Sequence, residues 1–230
     1  MQTRTTLLSG ETLTLSTGDR TVADVGRPTR CSVLLVDGVE LEVHASDPDA
    51  ADFFFAATGS TAGAPLRLRG GQQLVVGAYG SRPGQGPAYR VDTGGEALFG
   101  VSPPGMGREA LAAALSDAGI GPGSAGTRMR PGGRTAWSPL RSHDVAVSAL
   151  APGGRPVLLD VRRAVRPSSP GRRGRPVRGG WLSRSDPSER PHVVLETPDA
   201  VAYGLPPSDD DLDAAVAVLA DLRIDVEAAP

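Results

Sequence analysis

The sequence predicts a mainly β protein with a few helices, organised as two related β-sandwich-like lobes. Two observations support this fold class. Short apolar runs alternate with Gly, Pro, Asp and Ser turns through the first hundred residues, and one stretch of the chain has a second copy. Only 4% of the residues are aromatic, so the core must consist mainly of Val, Leu and Ala, which suit sheets and short helices.

The first half of the chain is expected to form strands and then one helix. The helix covers 108–118, because Leu111, Leu115 and Ala118 recur at helical spacing and Gly119 ends the pattern. The predicted strands before it are 12–15, 31–36, 40–44, 52–56, 66–68, 73–78, 88–92 and 97–101.

The second half is expected to repeat this plan after a linker. Gly, Pro, Ser and Arg dominate 121–133, so we predict a first lobe over 1–121, a linker over 122–135 and a second lobe over 136–230. A helix over 209–222 should begin with Ser208 as its cap. The other predicted elements are strands 144–149, 156–160, 193–196 and 200–203, and a flexible Arg/Gly/Pro-rich insertion at 162–180.

An ungapped repeat indicates that the lobes are related. Residues 87–100 and 191–204 share a strand, a turn with an acidic residue and Thr, and a strand that ends in an aromatic residue and Gly. A Pro-Pro pair and an amphipathic helix follow each copy. We therefore predict an internal duplication with a hairpin, Pro-Pro and helix in each half; the alternative is chance recurrence in a chain rich in Gly and Pro.

Composition limits the location and the class of partner. The net charge is -2, and every basic residue other than His is Arg, a composition typical of GC-rich bacterial genomes. No apolar run approaches the roughly 18 residues of a membrane span, and 1–10 lacks a signal-peptide layout. We expect a cytoplasmic protein in which Cys31, the single cysteine, is a buried structural thiol.

The sequence contains no familiar catalytic motif. The three His residues lack metal-ligand spacing, no Gly-x-Ser-x-Gly is present, and a Walker lysine is excluded because the chain has no Lys. This pattern predicts neither a zinc site nor nucleophilic catalysis. We expect a non-enzymatic protein that binds a protein partner or itself, and an enzyme with an unfamiliar site remains an alternative.

Two charged segments are candidate sites. Arg172, Arg173 and Arg175 lie in an Arg-Gly-Arg-Pro stretch that resembles the core of the AT-hook, whose arginines enter the minor groove of DNA. A solvated loop is the alternative reading. In the other segment Asp47, Asp49 and Asp52 offer carboxylate oxygens to Ca²⁺, or else form a polar turn.

Several stretches resemble the TerD-like tellurium-resistance and general stress proteins of bacteria. They are the opening 8–15, the run 32–38, the acidic 46–55 and the Gly-rich 59–64. The resemblance implies a calcium-binding β-sandwich of stress-response type, with Asp47, Asp49 and Asp52 as metal ligands. The family's Asp-Leu-Asp calcium motif would fall near 30–32, where this chain lacks it.

Two further readings stay open at this point. Duplicated β lobes with Gly/Pro-rich loops also suit a structural or assembly component, either phage-derived or shell-associated. A DNA-associated protein that uses the Arg-Gly-Arg-Pro loop is the other.

Overall fold

The computed structural model of the chain describes residues 2–18, 22–23, 28–77, 86–141, 143–163, 174–185, 191–206, 208 and 211–229. It has 48% strand and 16% helix in large antiparallel sheets. These contents confirm the predicted mainly β, α+β class. Among the described residues, no helix is both long and apolar enough to cross a membrane.

Nineteen strands and three helices are described. The helices are α1 (Pro48–Ala57), α2 (Arg108–Asp117) and α3 (Leu212–Asp221). The strands are β1 (Gln2–Thr6), β2 (Thr12–Ser16), β3 (Val22–Ala23), β4 (Thr29–Val36), β5 (Val39–Ser46), β6 (Leu66–Arg67), β7 (Gln73–Val76), β8 (Ala88–Asp92), β9 (Ala97–Val101), β10 (Ile120–Gly123), β11 (Gly126–Met129), β12 (Thr135–Trp137), β13 (Asp144–Leu150), β14 (Pro156–Arg163), β15 (Arg175–Val177), β16 (Gly180–Arg184), β17 (Val193–Glu196), β18 (Ala200–Leu205) and β19 (Arg223–Glu227).

The chain forms two compact units. The central unit comprises Leu8–Gly10 and Thr29–His143, and the terminal unit comprises Met1–Leu7, Glu11–Pro28 and Asp144–Pro230. In the central unit the strand order is β4-β5-β9-β8-β7-β6, with β12 paired to β4. In the terminal unit the order is β13-β14-β18-β17-β16-β15, with β3 paired to β13. The two orders are the same when strands are matched in chain order.

The predicted hairpin and helix are present in both units, with matching register. In β8 and β9, Arg90 lies opposite Phe99, and in β17 and β18, Val194 lies opposite Tyr203. The turns also match: Thr93 Oγ1 donates to the Glu96 carbonyl at 2.9 Å, and Thr197 Oγ1 donates to the Ala200 carbonyl at 3.0 Å. Helix α2 follows one hairpin and α3 follows the other. Identical strand order, register and turn chemistry support an internal duplication.

The unit boundaries differ from the predicted lobes because short strands are exchanged between the repeats. Strands β2 and β3 precede β4 in the chain, yet they belong to the terminal unit. Strands β11 and β12 precede β13, yet they belong to the central unit. The predicted linker, 122–135, contains most of the β10–β11 hairpin, whose Met129 is buried in the central core. Composition hid this hairpin because Gly and Pro occupy its strands.

The segment predicted as a strand over 52–56 is instead part of helix α1. The expectation rested on its run of phenylalanines, which favour strands. Local signals for a helix prevail: Asp47 Oδ1 accepts a hydrogen bond from the Ala50 amide at 2.8 Å, and Pro48 occupies the first turn. Ala51 is then buried against Ala97 and Phe99.

The start of α3 also differs from expectation. The helix begins at Leu212 rather than 209, and its N-cap position is Asp211, without a side-chain capping bond. Ser208 Oγ donates to Asp211 Oδ2 at 2.9 Å. Ser208 therefore fixes the side chain of the N-cap residue.

Each unit has its own apolar core, with a helix in it. Helix α2 contributes Leu111 and Leu115 to the central core, and α3 contributes Val218 and Leu219 to the terminal core. The opposite face of the central sheet carries α1 near Phe99. This second face of the central unit holds the candidate site.

Candidate metal centre

Three potential metal ligands meet on the face of β4 and β5 that α1 partly covers. Cys31 on β4 lies directly opposite His44 on β5, and Glu42 lies two residues before His44 on the same side of the strand. Their ligand atoms, a thiol sulfur, an imidazole nitrogen and a carboxylate oxygen, all lie within 4.8 Å of one another. Within the described part of the chain, this is the one group of three or more such residues.

A hydrogen bond already joins two of the three side chains. His44 Nε2 lies 2.7 Å from Glu42 Oε1. This bond is the main reason that the pKa of Glu42 is lowered, and it outweighs the opposing effect of partial burial. Glu42 is therefore a carboxylate at neutral pH and available as an oxygen ligand.

Buried groups hold the ligand strands in place. The hydroxyl of Tyr89 donates to the Glu42 carbonyl at 2.8 Å, where β5 and β9 no longer pair. Tyr89 is fully buried, and burial raises its pKa well above the ordinary value. The hydroxyl thus stays protonated and keeps donating, which fixes the backbone that carries Glu42.

Aromatic rings hold the His44 imidazole. The ring stacks on Phe99, with centroids 5.5 Å apart and an interplanar angle of 17°, and Phe54 of α1 lies 6.1 Å away. Phe54 and Phe99 also contact each other, with centroids 5.2 Å apart. These contacts restrict the orientation of the imidazole in the way that outer-shell groups orient metal ligands.

The donor set suits a borderline-soft transition metal. Thiolate, imidazole and carboxylate are all zinc ligands, and zinc holds them at about 2.0 to 2.3 Å. Ligand atoms on one zinc ion thus lie within roughly 4 Å of each other, so small side-chain rotations would complete this set. Three protein ligands leave a fourth tetrahedral position for water or for a donor from another molecule.

Sequence analysis missed this site because it tested spacing along the chain. Asp37 and Gly38 form a two-residue turn in which both have positive φ, 49° and 87°. Such a turn fixes the register of its hairpin. The two residue numbers of each β4–β5 pair therefore add to the same value, and Cys31 lies opposite His44. The Asp-Gly turn between two apolar runs was the signal that could have located the pair.

The predicted calcium ligands fall at the start of α1. Asp47 caps the helix, Asp49 lies in its first turn, and Asp52 forms an ion pair with Arg90 of β8. Asp47 and Asp52 are thus engaged in structural contacts. Among the described residues, the three aspartates do not form a group with metal-ligand geometry, and calcium binding stays a prediction.

The predicted nucleic-acid residues are only partly described. Arg172 and Arg173 lie outside the described residues. Arg175 is exposed on β15, at the edge of the terminal sheet.

The terminal unit lacks the donor set at the equivalent positions. Asp160 lies opposite Tyr203 as His44 lies opposite Phe99, and Ala146 lies opposite Asp160 as Cys31 lies opposite His44. The position of Glu42, two residues before His44, corresponds to Leu158. The matched set Ala146, Leu158 and Asp160 offers one carboxylate in place of three different donors.

Comparison with known protein families, with curated proteins and with solved structures finds no match for this chain. Nothing outside the chain therefore bears on the resemblance to TerD-like proteins, which stays a prediction. The chemistry assigned to the site rests on the geometry of Cys31, Glu42 and His44.

Proposed function

We propose that this protein binds a thiophilic divalent metal ion, with zinc as the best match, through Cys31, Glu42 and His44. The observation that supports the proposal is the convergence of three different donor atoms within 4.8 Å on a pinned β-hairpin. A hard ion such as Ca²⁺ prefers six or more oxygen ligands, so the thiol and the imidazole favour zinc over calcium.

Rigid support distinguishes this cluster from a chance group of surface side chains. The backbone of Glu42 is held by Tyr89, and the ring of His44 is held by Phe99 and Phe54. A preformed site loses less conformational entropy when the ion binds. Metal capture and delivery, or a metal-dependent contact with a partner at the open fourth position, is consistent with the predicted stress-response type of binding protein.

The first test is a zinc titration of chelator-treated, gel-filtered full-length protein by isothermal calorimetry. We expect saturation at one zinc ion per chain. Cobalt substitution should produce a thiolate-to-metal charge-transfer absorption in the near ultraviolet, which reports directly on Cys31. Zinc binding without that absorption would place the ion elsewhere, and no zinc binding to folded protein would reject the proposed function.

The ligand variants have matched controls within the chain. Cys31→Ser and His44→Gln should each weaken zinc binding about 100-fold, because each removes one of three protein ligands. His192→Gln should leave the affinity unchanged, because His192 lies beside Tyr203 in the terminal unit. Equal losses in His192→Gln and His44→Gln would contradict the assignment.

A triple variant gives the central unit the residues of the terminal unit. Cys31→Ala, Glu42→Leu and His44→Asp together should abolish zinc binding while the protein stays folded, because the same residue types occupy the matched positions of β13 and β14.

A calcium titration of the natural chain and of Asp49→Asn tests the alternative prediction at α1. A calcium response that disappears in Asp49→Asn would support the TerD-like reading.

A further inference from the structure

A small cavity of about 200 Å³ lies at the edge of the terminal unit. Leu182 of β16 and Val216 of α3 are the apolar residues that line it, and Arg175 and Arg184 are the charged ones. Leu182 is buried, while both arginines are exposed. We name this cavity, lined by Arg175, Leu182, Ser183, Arg184 and Val216, the arginine notch.

The arginine notch interrupts a face that is apolar in the central unit. Arg175 lies opposite Leu182 in the way that Leu66 lies opposite Leu74, so Arg175 occupies the position of Leu66. Leu66 and Leu74 both pack in the central core together with α2. Arg175 therefore occupies a sheet-edge position that holds a leucine in the central unit.

The second arginine also replaces an apolar residue. Val76 lies opposite Tyr89 and Arg184 lies opposite Val193, at matching positions of the two ladders. Val76 is buried in the central core. The terminal unit therefore has two arginines at positions where the central unit has two apolar residues of its core.

The described charges leave the arginine notch positive. Arg184 donates to Asp213 Oδ1 of α3 at 2.9 Å, which neutralises one cation. Arg175 has no ion-pair partner among the residues that the structure describes. A single anionic ligand would balance the remaining charge.

We propose that the arginine notch binds a small carboxylate that bears a short branched apolar group. A planar guanidinium matches a carboxylate with two parallel hydrogen bonds, and Leu182 with Val216 would contact the apolar group. The cavity is smaller than the roughly 300 Å³ at which sites for drug-sized ligands begin, so it suits a ligand of a few heavy atoms. A free carboxylic acid and the carboxyl end of a peptide share this chemistry.

This site is independent of the proposed metal function, because its residues belong to the terminal unit and the metal ligands belong to the central unit. Loss of one activity therefore says nothing about the other.

The test is a titration of isotope-labelled full-length protein followed by two-dimensional ¹H–¹⁵N nuclear magnetic resonance. Isobutyrate should shift the amide signals of Arg175, Leu182 and Arg184 with saturation on the order of 1 mM. Isobutyramide, which lacks the charge, should leave those signals in place. Acetyl-glycyl-valine acid separates the two sources: tighter binding than isobutyrate identifies a peptide end, and weaker binding identifies a free acid.

Variants localise the effect. Arg175→Gln should weaken isobutyrate binding about tenfold, the loss expected for one charge-assisted contact. Arg184→Gln should weaken it less, because Asp213 already neutralises Arg184. Arg67→Gln is the matched control, because Arg67 is an exposed arginine on β6, the edge strand of the central sheet. Unchanged spectra with isobutyrate, or equal losses in all three variants, would overturn the proposal. So would inorganic phosphate binding as tightly as isobutyrate, since the apolar wall would then contribute nothing.

Discussion

The central and terminal units have the same strand order but differ in where they place ionisable groups. The central unit has Cys31 and His44 at positions where the terminal unit has Ala146 and Asp160. The reverse holds at the edge of the sheet, where the terminal unit has Arg175 and the central unit has Leu66. The two units thus have the same strand order, turn and helix, and they differ in the ionisable side chains at matched strand positions.

The same comparison reveals a buried polar network in the central unit. Arg30, 1% exposed, donates to Glu96 at 2.5 Å and to the Thr127 carbonyl at 2.8 Å. Glu96 also accepts from the Thr127 amide at 2.6 Å. Because Thr127 belongs to β11, the network fixes the exchanged hairpin to the central sheet. Burial lowers the pKa of Arg30, and Glu96 opposes that effect.

The largest expected effect comes from breaking this network. Glu96→Ala should destabilise the protein by about 3 to 5 kcal/mol, because it leaves the buried guanidinium of Arg30 without its counter-charge. The free energy of unfolding in urea measures the loss. Glu227→Ala is the control and should cost far less, because Glu227 pairs with Arg4 on the surface.

A double variant makes the comparison sharper. The terminal unit has Val145 and Ala200 at the positions of Arg30 and Glu96. Arg30→Met combined with Glu96→Ala should therefore recover stability relative to Glu96→Ala alone, by about 2 kcal/mol, since no unpaired buried charge remains. Additive losses in the double variant would show that the network contributes nothing beyond packing.

A further difference is expected at the glycine near the end of each hairpin. A Cβ on Gly100 would lie 2.6 Å from the Glu42 carbonyl oxygen, which is backbone, whereas a Cβ on Gly204 would lie 2.9 Å from a methyl of Leu219. A side chain can move and a pinned carbonyl cannot. Gly100→Ala should thus cost about 3 kcal/mol and Gly204→Ala about 1 kcal/mol, measured by urea unfolding.

The same pair of variants bears on the metal site. Gly100→Ala should also weaken zinc binding, because its Cβ would displace the Glu42 carbonyl and the Tyr89 hydroxyl that donates to it. Gly204→Ala should leave zinc affinity unchanged. Equal effects on zinc affinity would contradict the role given to Tyr89 in holding Glu42.

Local patterns were sufficient to predict the elements that depend on local physics. The Thr-containing turn, the aromatic-Gly strand end and the amphipathic helix appear twice in the sequence, and the structure contains each of them in both units. The exchange of β3 and β12 was not predictable in this way. Pairing between strands that lie far apart in the chain depends on tertiary packing, and Gly and Pro in β10 concealed a strand.

The candidate site was partly predictable from the register of its hairpin, but not from linear sequence motifs. Linear motifs detect ligands on helices and in loops, whereas Cys31 and His44 meet because an Asp-Gly turn sets the register of their hairpin. Glu42 follows from strand alternation. The supporting contact of Phe54 was beyond reach, since 52–56 was expected to be a strand and α1 presents the ring to His44.

A second metal site built into the terminal unit gives the most direct test of the matching strand order and register. Ala146→Cys, Leu158→Glu and Asp160→His place the metal ligands of the central unit at matched positions of the terminal unit. Calorimetry should then find two zinc ions per chain, the second bound about tenfold more weakly because α1 and its Phe54 have no described counterpart there. At ten times its dissociation constant, the second ion should stabilise the protein by about 1.4 kcal/mol.

A two-ligand variant decides what a second ion would mean. Leu158→Glu with Asp160→His, without the cysteine, should bind no second zinc at comparable concentration, because the thiolate is missing. If the triple variant folds and still binds only one ion, register alone does not make the site, and the aromatic contacts of His44 become the decisive element. If it binds two ions, the strand register is sufficient to bring the three ligands together. The difference in zinc binding between the units then depends only on the side chains at three matched positions.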